Sequence, residues 1–268
     1  MCNACVMDHV QQQMMSRRGL VAGAITGAAA IGMAAAQPGL ARSTGGVVDL
    51  THTFTPDFPT FDGTPGLQMR QTVRFDESGY QMFHVSYDEH SGTHIDAPLH
   101  FTADGTSVDE LPAESLICPL CIVDISAKAR DDANATLEIE DIETWISTHG
   151  PIPAGACVTM HSGWAARLGD ASFRNDAAGN LAFPGFSKAA AAFLIELGVV
   201  AIGVDTLSLD PGNSQDFGAH YTWLPSGRYG IEALANLDRL PPAGATIFVG
   251  APRFQGGTGG PARVMAVL

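Results

Sequence analysis

Basic residues are scarce in this 268-residue chain: 14 Lys and Arg stand against 28 Asp and Glu, a formal charge of −14. Phosphate binding needs clustered Lys and Arg, so this balance argues against a nucleic-acid partner. No zinc-finger spacing, basic run or RNA-binding aromatic signature occurs, and no internal repeat or interdomain linker breaks the chain after the N-terminal segment. The G-x-S-x-G elbow of serine hydrolases is missing as well. Cysteines are few. Cys118 and Cys121 lie in "LICPLCIVDI", an apolar run that reads as a strand, so alternation sends the two thiols to opposite faces. That excludes a zinc pair, and a thioredoxin-like motif would need a helix N-terminus. With Cys157 in "ACVTM", they read as buried small hydrophobes.

Charge is absent altogether from residues 19 to 36, "GLVAGAITGAAAIGMAAA", which follow Arg17 and Arg18. A basic pair, an apolar run and Ala34-Ala35-Ala36 as a cleavage site predict an export signal of the twin-arginine type. The run is rich in Ala and Gly, so a bilayer would hold it weakly and no stable membrane insertion is expected after processing. The chain is therefore expected to comprise a signal at residues 1–36, cleaved during export to a periplasmic or extracellular location. A flexible stretch at 37–46 and a folded domain at 47–268 follow. Cys2 and Cys5 would leave with the signal.

Hydrophobic residues make up 46% and charged residues 16%, as in a folded globular protein. Short apolar runs alternate with helical ones. "VVDLTHTF", "YQMFHVSY", "CIVDIS", "ACVTMH", "VVAIGVD", "ATIFVGAPRF" and "PARVMAVL" read as strands. "EIEDIETWISTHG" has helical spacing through Ile139, Ile142 and Ile146 and stops at Gly150. "SKAAAAFLIELG" begins at Ser187 as N-cap and stops at Gly198. The alternation predicts an α/β domain.

"HSGTHIDAPLHF", residues 90 to 101, carries most of the chemistry. His90 and His94 offer imidazole nitrogens and Asp96 carboxylate oxygens, a set that suits a catalytic divalent ion with open positions. Gly92 lets the backbone bend, and Pro98 biases Ala97 toward an extended conformation and stiffens the exit. His100, past the proline, is either a further ligand or a free imidazole for proton transfer. Downstream, "HYTWLPSGRYGIE" holds the last histidine, His220, and then Glu232 in a stretch whose only other charge is Arg228.

These segments resemble the signatures of the cyclase-like metal-dependent hydrolases, the family that contains bacterial kynurenine formamidase and isatin hydrolase. The likeness runs from about Val48 to Leu268. Beside the first motif it includes "AIGVDTLSLDPGNSQDFGAH", "GIE" at 230–232 and "PRFQGGTGGPARVMAVL". The resemblance implies a mixed or barrel-like sheet flanked by helices, of the swivelling β/β/α type, and a homodimer or homotetramer. It implies one or two divalent ions, Zn²⁺ or Mn²⁺. His90, His94 and Asp96 would form the first ligand group, with His220 and Glu232 completing the set and His100 moving the proton. Asp205 and Asp210 match positions of structural support.

A metal so ligated lowers the pKa of its water from 15.7 toward ~7, giving a nucleophile for a carbonyl. The expected reaction is hydrolysis of a C–N bond in a small aryl amide or cyclic amide. Phe61 in "PTFDG", Trp164 in "HSGW", Phe186 in "FPGF" and His161 are candidate substrate contacts. His52 and His84 read as structural, and Arg263 is expected to pair with a buried carboxylate. Two rival readings stand beside this one. Kynurenine formamidase is disfavoured by the export signal and by Phe61 where that enzyme carries Trp. A metal- or ligand-binding protein without activity would have no use for His100.

Overall fold

A computed structural model describes residues 46–268, so the expected signal and nearly all of the stretch 37–46 lie outside the described residues. The described residues group into two compact units, Met69–Val85 and the rest.

The larger unit is built on one nine-stranded sheet. Its spatial order is β1 (Val47–Asp49), β13 (Arg263–Val267), β11 (Ala245–Gly250), β5 (Ile117–Asp124), β7 (Cys157–His161), β9 (Ala201–Val204), β10 (Tyr229–Glu232), β4 (His94–Asp96) and β12 (Gly259–Pro261). Strands β5, β7, β9 and β10 run parallel at the centre. Their near-continuous apolar sequences are what a strand covered on both faces requires. The flanking pairs, β11 with β5 and β13, β13 with β1, and β4 with β10 and β12, are antiparallel. The class is α/β with a mixed sheet, as expected.

Alternation along the strands makes two cores. Cys121, Val123, Val158, Met160, Ile202 and Val204 face one side. Cys118, Leu120, Ile122, Cys157 and Ala201 face the other. The two thiols of the C-x-x-C pair do point to opposite faces. Helices α1 (Ser126–Asp131), α2 (Ile139–His149), α3 (Lys188–Glu196) and α4 (Gly218–Trp223) belong to the same unit. Three of them cover the first face: α2 through Ile142 and Trp145, α3 through Ala190, Ala191 and Leu194, and α4 through Ala219 and Trp223. The Trp145 indole also donates to Ile122 O at 2.9 Å, so truncation to Ala would cost about 3–5 kcal/mol. Ser187 caps α3 by accepting from Ala190 N, and Gly150 ends α2.

The second face is closed by the sheet itself. Thr51, just past β1, bridges Leu234, just past β10, and Ala235 N donates to Leu50 O at 2.9 Å. These contacts tie distant positions in the strand order, and the sheet curls into a half-barrel around Leu50, Ile95, Ile231 and Ile247. The strand read over "VVDLTHTF" is shorter than expected. The Thr51 hydroxyl donates to Val264 O and accepts from Val264 N, replacing the backbone ladder beyond Leu50, whose N also donates to Val264 O. Two further pairs complete the strands. β6 (Thr136–Leu137) lies parallel to β8 (Gly185–Phe186), and β2 (Leu67–Val73) pairs with β3 (Met82–Tyr87) in a ribbon that carries His84. Among the described residues no helix is long and apolar enough to cross a membrane.

Candidate metal centre

The ligand-rich segment is more ordered than its Gly and Pro suggested. Gly92 turns it with φ 67°, and His94, Ile95 and Asp96 then form β4, held between β10 and β12. Pleating sends Ile95 into the core while His94 and Asp96 share the opposite face. In the antiparallel register Glu232 lies directly across from His94. Cross-strand partners share a face, so the sheet itself delivers Glu232 to the histidine. After Ala97, extended at φ −82° and ψ 158°, Pro98–His100 forms a single 3₁₀ turn that swings His100 back. Its ring stacks on His90 at 3.7 Å between centroids.

His220 enters from the first turn of α4. Asp210 fixes that turn by accepting from Ala219 N at 2.7 Å and His220 N at 3.1 Å. The same carboxylate meets His220 Nδ1 at 2.6 Å. The convergence is close. His94 Nε2 lies 3.3 Å from Asp96 Oδ1 and 3.4 Å from Glu232 Oε2. His220 Nε2 lies 3.5 Å from Asp96 Oδ2 and 3.3 Å from Glu232 Oε1. His90 Nδ1 is 2.7 Å from Asp96 Oδ1.

Whether these residues fit a divalent ion can be read from their other nitrogens. His94 Nδ1 faces Gly92 O at 2.9 Å and His220 Nδ1 faces Asp210, so in the neutral rings both Nδ1 atoms donate and both Nε2 lone pairs point at carboxylate oxygens. His94 Nε2 and Asp96 Oδ2 are buried without a hydrogen-bond partner. Lone pairs aimed at lone pairs are costly unless a cation sits among them. The donor set fits a divalent cation, in two groups that share Asp96: His90, Asp96 and His100, and His94, Asp96 and Glu232.

Burial would raise the Asp96 carboxyl, but the adjacent imidazoles of His220, His90 and His94 outweigh it and hold it well below the usual carboxylate range. Glu232 moves the other way, raised by burial and then by the charge of Asp96. Burial pushes His100 down to about 4, helped by the histidines around it.

His90, His100, His220 and Glu232 of this cluster line a cavity of about 670 Å³. Phe61, Phe101 and Phe217 wall it; Phe61 and Phe217 lie 5.9 Å apart, and Phe101 is 4.5 Å from the His220 ring. Asp62, Asp88 and Glu89 line its rim, and among the described residues no Lys or Arg does. Phe61 is among the residues that line the cavity. Three other expected contacts are not. Trp164 is fully buried, its indole donating to Phe173 O. Phe186 is buried in the helix-covered core. His161 sits beside Asp205 at 3.5 Å, away from the cavity lining. Asp205 is a structural support, accepting from Ser162 N, Ser162 Oγ and Trp164 N. Arg263 pairs with Asp49 on the exposed edge of the sheet rather than with a buried group. Phe101 and Phe217 carry no motif of their own in the sequence, although each lies within three residues of a candidate histidine.

Residues 48–211 match the sequence profile described as "Putative cyclase". The chain belongs to that family. Similarity to known proteins extends along most of the chain. Isatin hydrolase of Roseibium aggregatum is 31% identical over 241 residues, covering 83% of this chain and 91% of that protein. Kynurenine formamidase of Salinibacter ruber is 26% identical over 231 residues, covering 82% and 96%. The solved structure of isatin hydrolase A from Ralstonia solanacearum superposes with a TM-score of 0.80 at 35% identity, over 91% of this chain and all of that one. This cyclase-family chain is a metal-dependent hydrolase acting on a small molecule.

Proposed function

We propose that the chain hydrolyses the C–N bond of a small, uncharged aryl lactam of the isatin kind, or of a related aryl amide. The observation that carries this reading is the meeting of three imidazoles and two carboxylates, of which His90, His220 and Glu232 line an aromatic-walled cavity. His90, His94, Asp96, His220 and Glu232 would hold one or two divalent ions, and mixed imidazole and carboxylate donors accept Zn²⁺ and Mn²⁺ alike. The bound ion supplies an activated water and polarises the scissile carbonyl.

The remaining roles belong to the chain. Phe61, Phe101 and Phe217 offer faces for a planar ring. His100 lies on the cavity wall against His90, where an imidazole nitrogen can take a proton from the attacking water and return it to the leaving nitrogen. Isatin hydrolase and kynurenine formamidase among the relatives support both the lactam and the formamide reading. The rim favours the lactam. An amino-acid carboxylate would find Asp62, Asp88 and Glu89 there and, among the described residues, no Lys or Arg to pair with it. Repulsion by the same rim would also speed the departure of an anionic product.

Export remains part of the proposal, supported by Arg17, Arg18 and the uncharged run that follows them. N-terminal sequencing of periplasmic protein would show a start at Gln37. The chemistry is tested by steady-state rates of metal-analysed protein on isatin, N-formylkynurenine, simple arylformamides and lactones. The lactam should give the highest kcat/KM. Activity on lactones alone would overturn the assignment of His100 to a leaving nitrogen.

A further inference from the structure

His94 and His220 each have an obvious orienting partner, Gly92 O and Asp210. His90 has a less obvious one. Its Nε2 lies 2.9 Å from Thr258 Oγ1, and that hydroxyl lies 2.6 Å from Glu89 Oε2. Thr258 N faces both Glu89 oxygens at 3.3 Å, and Thr258 O accepts from Ala97 N at 2.9 Å. Every polar atom of Thr258 therefore engages the ligand-bearing segment. Next along the chain, Gly259 passes so near that a Cβ there would meet His90 Cε1 at 2.8 Å and Ile95 O at 2.3 Å. The segment is fitted to His90.

The direction of the hydrogen bonds follows from counting protons. A threonine hydroxyl has one proton, and an ionised carboxylate only accepts, so the hydroxyl donates to Glu89. Its oxygen is then left to accept, and His90 Nε2–H must be the donor. In the neutral imidazole that a metal ligand must be, this leaves Nδ1 unprotonated, 2.7 Å from Asp96 Oδ1. Two lone pairs face one another there at a distance that suits a shared cation.

We propose that Glu89 and Thr258 are positioning residues that lock His90 in the Nε2–H tautomer and so present Nδ1 to the metal. This rests on the reading of the cluster as a metal centre. Such outer partners of metal-bound histidines are typically worth 10–100-fold in metal affinity. Thr258 does not line the cavity, so its loss acts through His90, whereas Glu89 also lines the cavity and its loss would change the rim charge as well.

The test is calorimetric titration of chelator-stripped, full-length protein with Mn²⁺, using wild type, Thr258→Val, Thr258→Ser and Glu89→Gln. Thr258→Val should bind Mn²⁺ 10–100-fold more weakly, and Thr258→Ser, which keeps the hydroxyl, should remain within about threefold of wild type. Activity of Thr258→Val should recover as Mn²⁺ is raised, a rescue that a merely structural lesion would not give. Equal Mn²⁺ affinity of wild type and Thr258→Val overturns the proposal. If that variant does not fold, ¹⁵N-histidine NMR of the wild-type protein decides the matter. An Nε2–H tautomer at His90 supports the proposal and an Nδ1–H tautomer overturns it. Wild type that binds no Mn²⁺ or Zn²⁺ would instead bring down the metal-centre reading itself, which separates the two failures.

Discussion

His220 and Asp210 form a charge-assisted pair at 2.6 Å, and the same carboxylate ties down two backbone amides at the start of α4. One residue thus orients the histidine and fixes the turn that carries it. Asp210→Asn replaces an acceptor-only group by one that cannot accept from all three donors. It should weaken divalent-metal affinity 10–100-fold. It should also lower stability by about 1–3 kcal/mol by leaving a buried donor unpaired. Calorimetric titration and urea unfolding check the two effects separately.

His100 has two readings in the geometry, since it stacks on His90 and also belongs to a group able to hold an ion. The proposed role is proton transfer. His100→Ala should then cut kcat/KM by about 10²–10⁴-fold while metal content, measured by elemental analysis, stays unchanged. Loss of the metal in that variant would make His100 a ligand.

The low pKa of His100, about 4 in the fold, has a signed consequence. A free histidine titrates near 6.5. Between these values the unfolded chain binds the proton and the folded chain does not, so stability falls as pH drops from about 6.5 to about 4 and is fully present above 6.5. In chelator-treated protein, His100→Gln should show a shallower loss than wild type across that window. Parallel urea-unfolding profiles for the two proteins would contradict the assignment.

Phe217 holds φ at 49°, in the left-handed region that favours glycine, while its ring forms part of the cavity wall. Backbone strain kept at a binding wall suggests that the side chain is needed there. Phe217→Gly should relieve strain as it loses packing, leaving stability within about 1 kcal/mol. KM for an aryl lactam should nonetheless rise about 5–10-fold from the lost ring contact. The comparison of KM with the unfolding midpoint tests this.

Much of the site was legible because its residues are local. His90, His94, Asp96 and His100 fall within one short segment, where ligand type and spacing are informative together. His220 and Glu232 needed the family resemblance, because nothing local shows that β10 lies antiparallel to β4 with Glu232 opposite His94. The parallel centre of the sheet was readable from apolar runs such as "VVAIGVD", whereas the tiny strand β12 carries two glycines and a proline and has no strand signature. Trp164 and Phe186 were misplaced for a related reason. An aromatic residue near glycine looks the same in sequence whether it fills a core or faces a cavity, and burial decided both toward the core. The contact of Glu89 with Thr258 spans 169 residues and leaves no local pattern at all.

The central claim is that the convergent histidines and carboxylates form a hydrolytic divalent-metal centre. Its most direct test is isatin turnover by one protein preparation before chelation, after removal of metal, and after Mn²⁺ or Zn²⁺ is returned. The account predicts activity that disappears with the metal and comes back with it, but does not come back in Glu232→Gln. Undiminished turnover in fully metal-free protein would contradict it.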